Sequence, residues 1–266
     1  MEWSDEALRA LDRVPFFVRK RVRARVEEEA RARGADLVTA AHLETCRRRF
    51  LKRMEDEVKG YRVETCFGPG GCPNRAVVEE SLAPELERRL ARKDLKGFLL
   101  SRVRGPLKMH HEFQVSVSDC PNACSRPQIA DIGLIGAREP RITDEACSLC
   151  AACVEICREK ALSLNDAGPV LDSGKCLACG QCIEACPTGT LKQGARGYRV
   201  LAGGKLGRHP RLASDVGGIF DTDRVLEVVE RVVGFYMRYC REGERLGEIL
   251  RNKGPDELAG FVGNGL

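Results

Sequence analysis

Apolar positions recur at helical spacing from the start of the chain. Ala7, Leu8, Leu11 and Val14 form a stripe behind Ser4, a side chain able to cap a first turn. Pro15 opens a second segment, where Phe16, Phe17, Val18, Val22 and Val26 alternate with Arg19, Lys20, Arg21, Arg23 and Arg25. Gly34 is placed to end that segment as a C-cap. A third helix is expected from about residue 39 to residue 59, capped by Thr39. The arginine-rich face reads either as solvated helix surface or as a surface that meets an acidic cofactor or partner.

After Gly60 the period shortens. Tyr61, Arg62 and Val63 read as a short strand, and Cys66 to Cys72 as a tight glycine-rich loop. Residues 74–93 look helical. Val115 and Val117 alternate with Ser116 and Ser118, which is strand periodicity. The run from Ile129 to Ile135 is apolar and strand-like, and residues 195–212 are rich in glycine and basic side chains. From residue 221 to about 250 a long amphipathic helix is expected, capped by Asp221 or Thr222, with Val225, Leu226, Val228, Val229, Val232 and Val233 on its apolar side. The last dozen residues are glycine-rich and are expected to fray.

Composition narrows the picture. A chain of 266 residues can hold two or three small domains, or one large core with an insertion. Its net charge of +5 is spread along the chain, with no Lys/Arg tract of the kind that binds nucleic acid. The N-terminus lacks the basic and apolar regions of a signal peptide, and no apolar run approaches the roughly 20 residues of a membrane helix. A soluble, cytoplasmic protein is expected. Against that expectation, 14 cysteines stand out, because disulfides are rare in the cytoplasm. Iron or zinc ligation is the better reading, and zinc ribbons would pair two CxxC knuckles per metal.

The spacing argues for iron. Cys147-x2-Cys150-x2-Cys153-x3-Cys157 is followed by Cys176-x2-Cys179-x2-Cys182-x3-Cys186-Pro187, an internal repeat. This resembles a bacterial ferredoxin with two [4Fe–4S] clusters, in which the fourth cysteine of each run serves the other cluster. The resemblance assigns Cys147, Cys150, Cys153 and Cys186 to one cluster, and Cys176, Cys179, Cys182 and Cys157 to the second. Arg158 stands where the motif has proline. A cation there favours the reduced, more negative cluster.

Four more cysteines form a second constellation: Cys66-x5-Cys72, then Cys120-x3-Cys124 within Asp119-Cys120-Pro121-Asn122-Ala123-Cys124. Together with the run from Ala130 to Gly136, they resemble the sirohaem-containing nitrite and sulfite reductases. That resemblance implies that Cys66, Cys72, Cys120 and Cys124 hold a third [4Fe–4S] cluster, and that Cys124 also bridges to the sirohaem iron. Sirohaem carries many carboxylates, and Lys205, Arg208 and Arg211 in the glycine-rich basic segment are the candidates to meet them. Residues 3–45 separately resemble a small helical domain of a light-independent protochlorophyllide reductase subunit, on Trp3, Glu6, Ala7, the run from Pro15 to Arg19, Ala30 and Arg31. The expected fold is α+β: a helical module at 1–59, a sirohaem half-domain at 60–138 and 195–266, and a ferredoxin of βαββαβ type inserted at 139–194.

The strand before Cys120 departs from the sulfite reductases. Counting back, Glu112 and Gln114 occupy the positions of two lysines that bind the anion in that family. Lys108, His110 and His111 lie just upstream, and the histidines are candidates to deliver protons. The implied activity is reduction of sulfite, nitrite or a related small molecule. The alternatives are a non-catalytic electron-transfer subunit, or a protein acting on another substrate such as a tetrapyrrole. Full sulfite reductases use two repeats of this half-domain and this chain has one, so a homo-oligomer or a second subunit is expected beside a redox donor protein. Cys46 and Cys240 are read as buried, inert thiols.

Overall fold

The computed structural model describes residues 1–263, apart from the side chains of Arg53 and Met54, and it divides into two compact units. The first comprises Met1–Lys59 with Gly105–His110. Strand β1 (Glu2–Trp3) leads into α1 (Asp5–Asp12), whose cap is Ser4: its Oγ accepts from the Ala7 amide at 3.2 Å. Helix α2 (Phe16–Ala32) ends before Gly34, whose φ of +68° suits a residue without a Cβ. Strand β2 (Leu37–Val38) pairs parallel with β1, and α3 (Ala40–Glu57) follows the cap Thr39. Here the third helical residue, His42, completes a capping box, with its Nδ1 accepting from the Thr39 amide at 3.1 Å. Ala7, Val26, Ala30 and Val38 form the core, with Trp3, Val22, Leu43 and Cys46 packed against it. Two cations of the arginine-rich face pair inside the unit, Arg19 with Asp12 and Arg23 with Glu27, and beyond that face Arg31 pairs with Glu27 and Arg33 and Arg49 with Glu29.

The second unit holds residues 60–104 and the chain from His111 onward. Its elements are β3 (Tyr61–Thr65), α4 (Leu82–Ala91), α5 (Leu95–Arg102), β4 (Phe113–Ser118) and β5 (Ile132–Ile142), then α6 (Ala152–Ile156), β6 (Leu162–Asn165), β7 (Gly168–Leu171) and α7 (Gln181–Ala185). They are followed by β8 (Leu191–Ala202), β9 (Ser214–Asp215), α8 (Thr222–Tyr239), α9 (Leu246–Lys253) and α10 (Pro255–Gly263). One mixed sheet runs in the order β3-β4-β5-β8-β9. Strands β3, β4 and β5 are mutually parallel, and β5 and β8 are antiparallel. Helices α4, α5 and α8 cover one face: Tyr236 of α8 stacks against Phe113 of β4 and Phe98 of α5 at ring separations of 4.9 and 5.7 Å. The expected α+β architecture is therefore present, with the chain between β5 and β8 forming the insert.

Three local expectations differ from the structure. Residues 74–81 are not helical; the amides of Ala76 and Val77 both donate to the Asp119 carbonyl, so the helix begins only at Leu82. The long C-terminal helix breaks after Tyr239. Glu242 and Gly243 take left-handed backbone conformations, and α9 restarts where the Leu246 amide meets the Asp131 carboxylate. The glycine-rich end is helical over Pro255–Gly263, because Leu258 and Val262 find burial and Arg231 donates to the Val262 carbonyl at 2.7 Å. Its last three residues lie outside the described part. Among the described residues, no helix is long and apolar enough to cross a membrane.

Asp131 ties the sheet to the helical layer. It is wholly buried, and both of its carboxylate oxygens receive Arg245 Nε, at 3.0 and 3.1 Å. The Gln114 amide of β4 donates to the same group at 2.8 Å, and the Asp131 carbonyl receives the Gly203 amide beyond β8. Removing one partner of such a pair leaves an uncompensated buried charge. Arg245→Met is expected to cost about 3–5 kcal/mol, read as a lowered urea midpoint, and Asp131→Asn in the same chain should recover part of the loss.

Candidate functional site

Parallel pairing of β3 and β4 decides where the first cysteine set meets. The register places Thr65 opposite Val117, so Cys66 and Cys120 both leave the sheet at the C-terminal ends of neighbouring strands. The Cys66 amide donates to the Val117 carbonyl at 2.9 Å. Cys66 Sγ in turn accepts from the amides of Gly68, at 3.3 Å, and Asp119, at 3.4 Å. Such N–H donors suit a thiolate that shares its charge with iron. Cys124 follows a tight turn in which Ala123 has φ of +53°. Serines pin that turn to the strand: Ser116 Oγ donates to the Ser125 carbonyl at 2.7 Å, and Ser118 and Ser125 share a hydroxyl bond of 2.6 Å. Cys120 is buried, whereas Cys124 is exposed.

Asp119 joins the two halves of this set. Arg75, just after Cys72, donates from Nε to the Asp119 carboxylate at 2.8 Å. The fit leaves no room for side chains nearby. A Cβ on Gly68 would stand 2.1 Å from that carboxylate, and one on Gly136 would stand 2.3 Å from the Asp119 carbonyl. Burial pushes the Asp119 carboxyl up, and the Arg75 guanidinium pulls it back down. Arg75 Nη2 and the Tyr198 hydroxyl are buried without a hydrogen-bond partner; burial, then the neighbouring Asp119, holds the Tyr198 hydroxyl well above the usual phenol range.

The other eight cysteines rim two cavities in the insert. Cys147, Cys150, Cys153 and Cys186 line one, with Leu164, Pro169 and Pro187. Cys157, Cys176, Cys179 and Cys182 line the second, of about 180 Å³, which reaches Cys120, Pro121 and Asn122. The internal repeat is visible in the backbone. Left-handed residues recur in matching pairs, Leu149 with Ala178, Ala151 with Gly180 and Lys160 with Gly189, at the same offset as Cys147 and Cys176. Amides of Leu149, Ala161, Ala178 and Leu191 donate to the sulfurs of Cys147, Cys157, Cys176 and Cys186. Among the described residues, no three His, Cys, Asp or Glu side chains converge where a single ion would sit. Sulfurs around a cavity are the arrangement a cubane needs, because its irons stand at the corners. Burial pushes the Cys182 thiol up to about 12, so iron must displace its proton at any working pH.

The remaining sequence candidates fall as follows. Glu112 is buried at the entry to β4, and Gln114 is half-buried within it. Arg62 lies opposite Gln114 in register, a cation on the same face that the strand pattern alone did not single out. Lys108 and His110 are exposed residues of the first unit, and His111 is a half-buried residue of the second. Lys205 is buried, with Nζ 2.6 Å from Glu248. Its backbone pairs with Arg211, so Arg208 stands exposed at the tip of the intervening loop. Arg211 is half-buried and donates to Ser214 Oγ at 3.2 Å. Cys46 is half-buried against the first unit's core, and Cys240 is buried at the end of α8, its thiol donating to the Glu244 carbonyl at 3.3 Å.

The sequence assigns no role to Asp119, Arg75, Ser116, Ser118 or Ser125; the Ser116/Ser118 alternation and the place of Asp119 beside Cys120 are the signals it offers. If Cys66, Cys72, Cys120 and Cys124 hold iron, Asp119→Ala is expected to lower the iron content by that share while sparing the insert, measured by iron assay and electron paramagnetic resonance (EPR). Arg75 would keep only its 3.8 Å ion pair with the exposed Glu80, so a loss of stability is expected as well.

Comparison with known proteins now identifies the family. Residues 61–264 match the model of the nitrite and sulphite reductase 4Fe-4S domain, and residues 3–47 match that of the proto-chlorophyllide reductase 57 kD subunit. The coenzyme F420-dependent sulfite reductase of Methanocaldococcus jannaschii is 30% identical over 150 residues, which are 54% of this chain and 23% of that protein. An uncharacterised protein of the same organism is 24% identical over 163 residues, 57% of this chain and 55% of its own length. The chain thus spans about a quarter and about half of these two relatives. Dissimilatory sulfite reductase I shares the fold, with a TM-score of 0.52 and 19% identity over 76% of this chain and 51% of its own. With the model covering most of its length, the chain belongs to the nitrite and sulphite reductase 4Fe-4S domain family, whose work is iron–sulfur redox chemistry.

Proposed function

We propose that this chain carries electrons through two ferredoxin-type [4Fe–4S] clusters to a third, sirohaem-coupled cubane, where sulfite, nitrite or a related small molecule is reduced. The observation that carries the reading is the second cavity, lined at once by Cys157, Cys176, Cys179 and Cys182 and by Cys120. Cluster ligands of the insert and of the β3–β4 loops thereby share one space. Cys147, Cys150, Cys153 and Cys186 would hold the first ferredoxin-type cluster, and the cysteines of the shared cavity other than Cys120 the second. Cys66, Cys72, Cys120 and Cys124 would hold the cubane. The exposure of Cys124, against the burial of Cys120, suits a thiolate that also reaches outward to a tetrapyrrole iron. When bound, sirohaem supplies the iron on which the small molecule is reduced.

The chain's own side chains have definable tasks. Arg208 is placed for tetrapyrrole carboxylates, with Arg211 behind it, while Glu248 balances the Lys205 charge. Arg62 lies opposite Gln114, but its guanidinium is paired with Glu64 at 3.3 Å, so it replaces the family's lysines only in part. His111, His110 and Lys108 remain the candidates for proton delivery. The buried Glu112 favours a second reading, an electron-transfer subunit or a protein acting on a tetrapyrrole, because a carboxylate repels an anionic substrate. A single half-domain leaves one tetrapyrrole face to be covered by a second copy or another subunit.

Anaerobically purified protein is expected to carry about twelve irons per chain, four for each cluster, and a tetrapyrrole absorbance that shifts with sulfite or nitrite. Reduced viologen should support turnover. Broad iron–sulfur absorbance alone would exclude sirohaem, and a tetrapyrrole spectrum blind to both anions would select the second reading. Cys124→Ser should abolish the coupling between tetrapyrrole and cubane while the insert keeps its clusters. Cys153→Ser should remove one ferredoxin-type cluster and leave the tetrapyrrole spectrum intact.

A further inference from the structure

The two halves of the insert repeat each other in backbone and in cysteine spacing, yet the residue after the fourth cysteine differs in charge. Pro187 follows Cys186, whereas Arg158 follows Cys157. The two residues face different surroundings. Pro187 lines the cavity of Cys147, Cys150, Cys153 and Cys186, whose wall comes entirely from residues 147–191. Arg158 lines the larger cavity, where Asn74, Cys120, Pro121 and Asn122 close the far side. The cation is thus placed at the one cluster site that looks across at the β3–β4 loops. Arg158 is exposed, and Glu159, also exposed, shares the same wall with the opposite charge.

We propose that Arg158 is a positioning residue of the electron relay, favouring the added electron on the cluster of Cys157, Cys176, Cys179 and Cys182 and, more weakly, on the cubane across the cavity. This inference rests on the cluster assignment proposed above. Each transfer between bound clusters would pass one electron, oxidising one centre as it reduces the next, with no bond made or broken. Reduction adds one negative charge to a cluster, so a neighbouring guanidinium lowers the energy of the reduced form. Its exposure keeps the effect modest and sensitive to salt. Glu159 works against it.

The test is a potentiometric titration of the full chain, purified anaerobically and followed by EPR, with the first cluster's signal assigned from Cys153→Ser. Arg158→Gln is expected to move the second cluster's reduction equilibrium about tenfold toward the oxidised form, about 59 mV for a one-electron couple. The cubane should shift less in the same direction, and the first cluster should stay in place. Arg158→Lys should keep the wild-type potentials, and Glu159→Gln should move the second cluster the opposite way. In 1 M salt, where the Debye length falls to about 3 Å, the shifts should shrink. An unmoved second cluster in Arg158→Gln, or equal shifts in all three centres, would overturn the proposal. So would Arg158→Lys shifting as far as Arg158→Gln, since packing rather than charge would then be at work. Wild-type protein without clusters would overturn the underlying assignment, and the proposal with it; the iron assay shows this before any variant is made.

Discussion

The antiparallel ladder between β5 and β8 is the constraint on which the second unit depends. It runs from Ile132 opposite Ala202 to Ile142 opposite Leu191, so the whole insert is the loop of one long hairpin. The inner half of the ladder belongs to the five-stranded sheet, and the outer half supports the cysteine repeat. Between them the register slips by one residue near Arg138 and Pro140, and such a bulge bends the strand that carries it. At this bend the Arg138 amide donates to the Ala178 carbonyl at 2.6 Å, and the Arg138 guanidinium reaches the Gly180 carbonyl at 3.0 Å. A Cβ on Gly180 would stand 2.4 Å from Arg138 Nε, at a φ of +76° that favours glycine. The insert is therefore anchored at the loop between Cys176 and Cys182 as well as through its covalent ends.

With that anchor in place, Cys120 and four cysteines of the insert, far apart in sequence, face one cavity. The strands contribute through polarity of chain direction. Because β3 and β4 are parallel, their C-terminal loops lie side by side, and Asp119 binds one loop to the other through Arg75, Ala76 and Val77. A buried carboxylate serves this purpose because it accepts several donors at once and is costly to leave unpaired. Asp131 does the same for the sheet and the C-terminal helices. Buried charge in this unit thus sits at joints between elements, as Asp119 and Asp131 do.

The contrast between Lys205 and Arg208 follows the same division. Both belong to one basic, glycine-rich stretch, and sequence gives no ground for separating them. The fold puts Lys205 under α9 against Glu248 and leaves Arg208 at a loop tip, because Lys205 pairs with Arg211 across the loop and turns the intervening residues outward. Ser116 and Ser118 take up polar positions of β4 that an alternation rule would send to solvent, and their hydroxyls hold the Cys124 turn.

The sequence by itself determined the cysteine repeat, the four-cysteine pattern around it, and the helical caps at Ser4, Thr39 and Asp221, because each is a local matter of spacing or of one side chain meeting a nearby amide. It also exposed Glu112, Gln114 and Arg158 as departures, since counting from a cysteine needs no coordinates. Only the tertiary structure decided what depends on distant partners. Residues 74–81 gave up a helix because Asp119 offered their amides a carbonyl, and the C-terminal helix broke where Asp131 waited for Leu246. Neither partner can be read from the segment it alters, because a hydrogen bond across such a distance in sequence exists only after the sheet has set the strands in register.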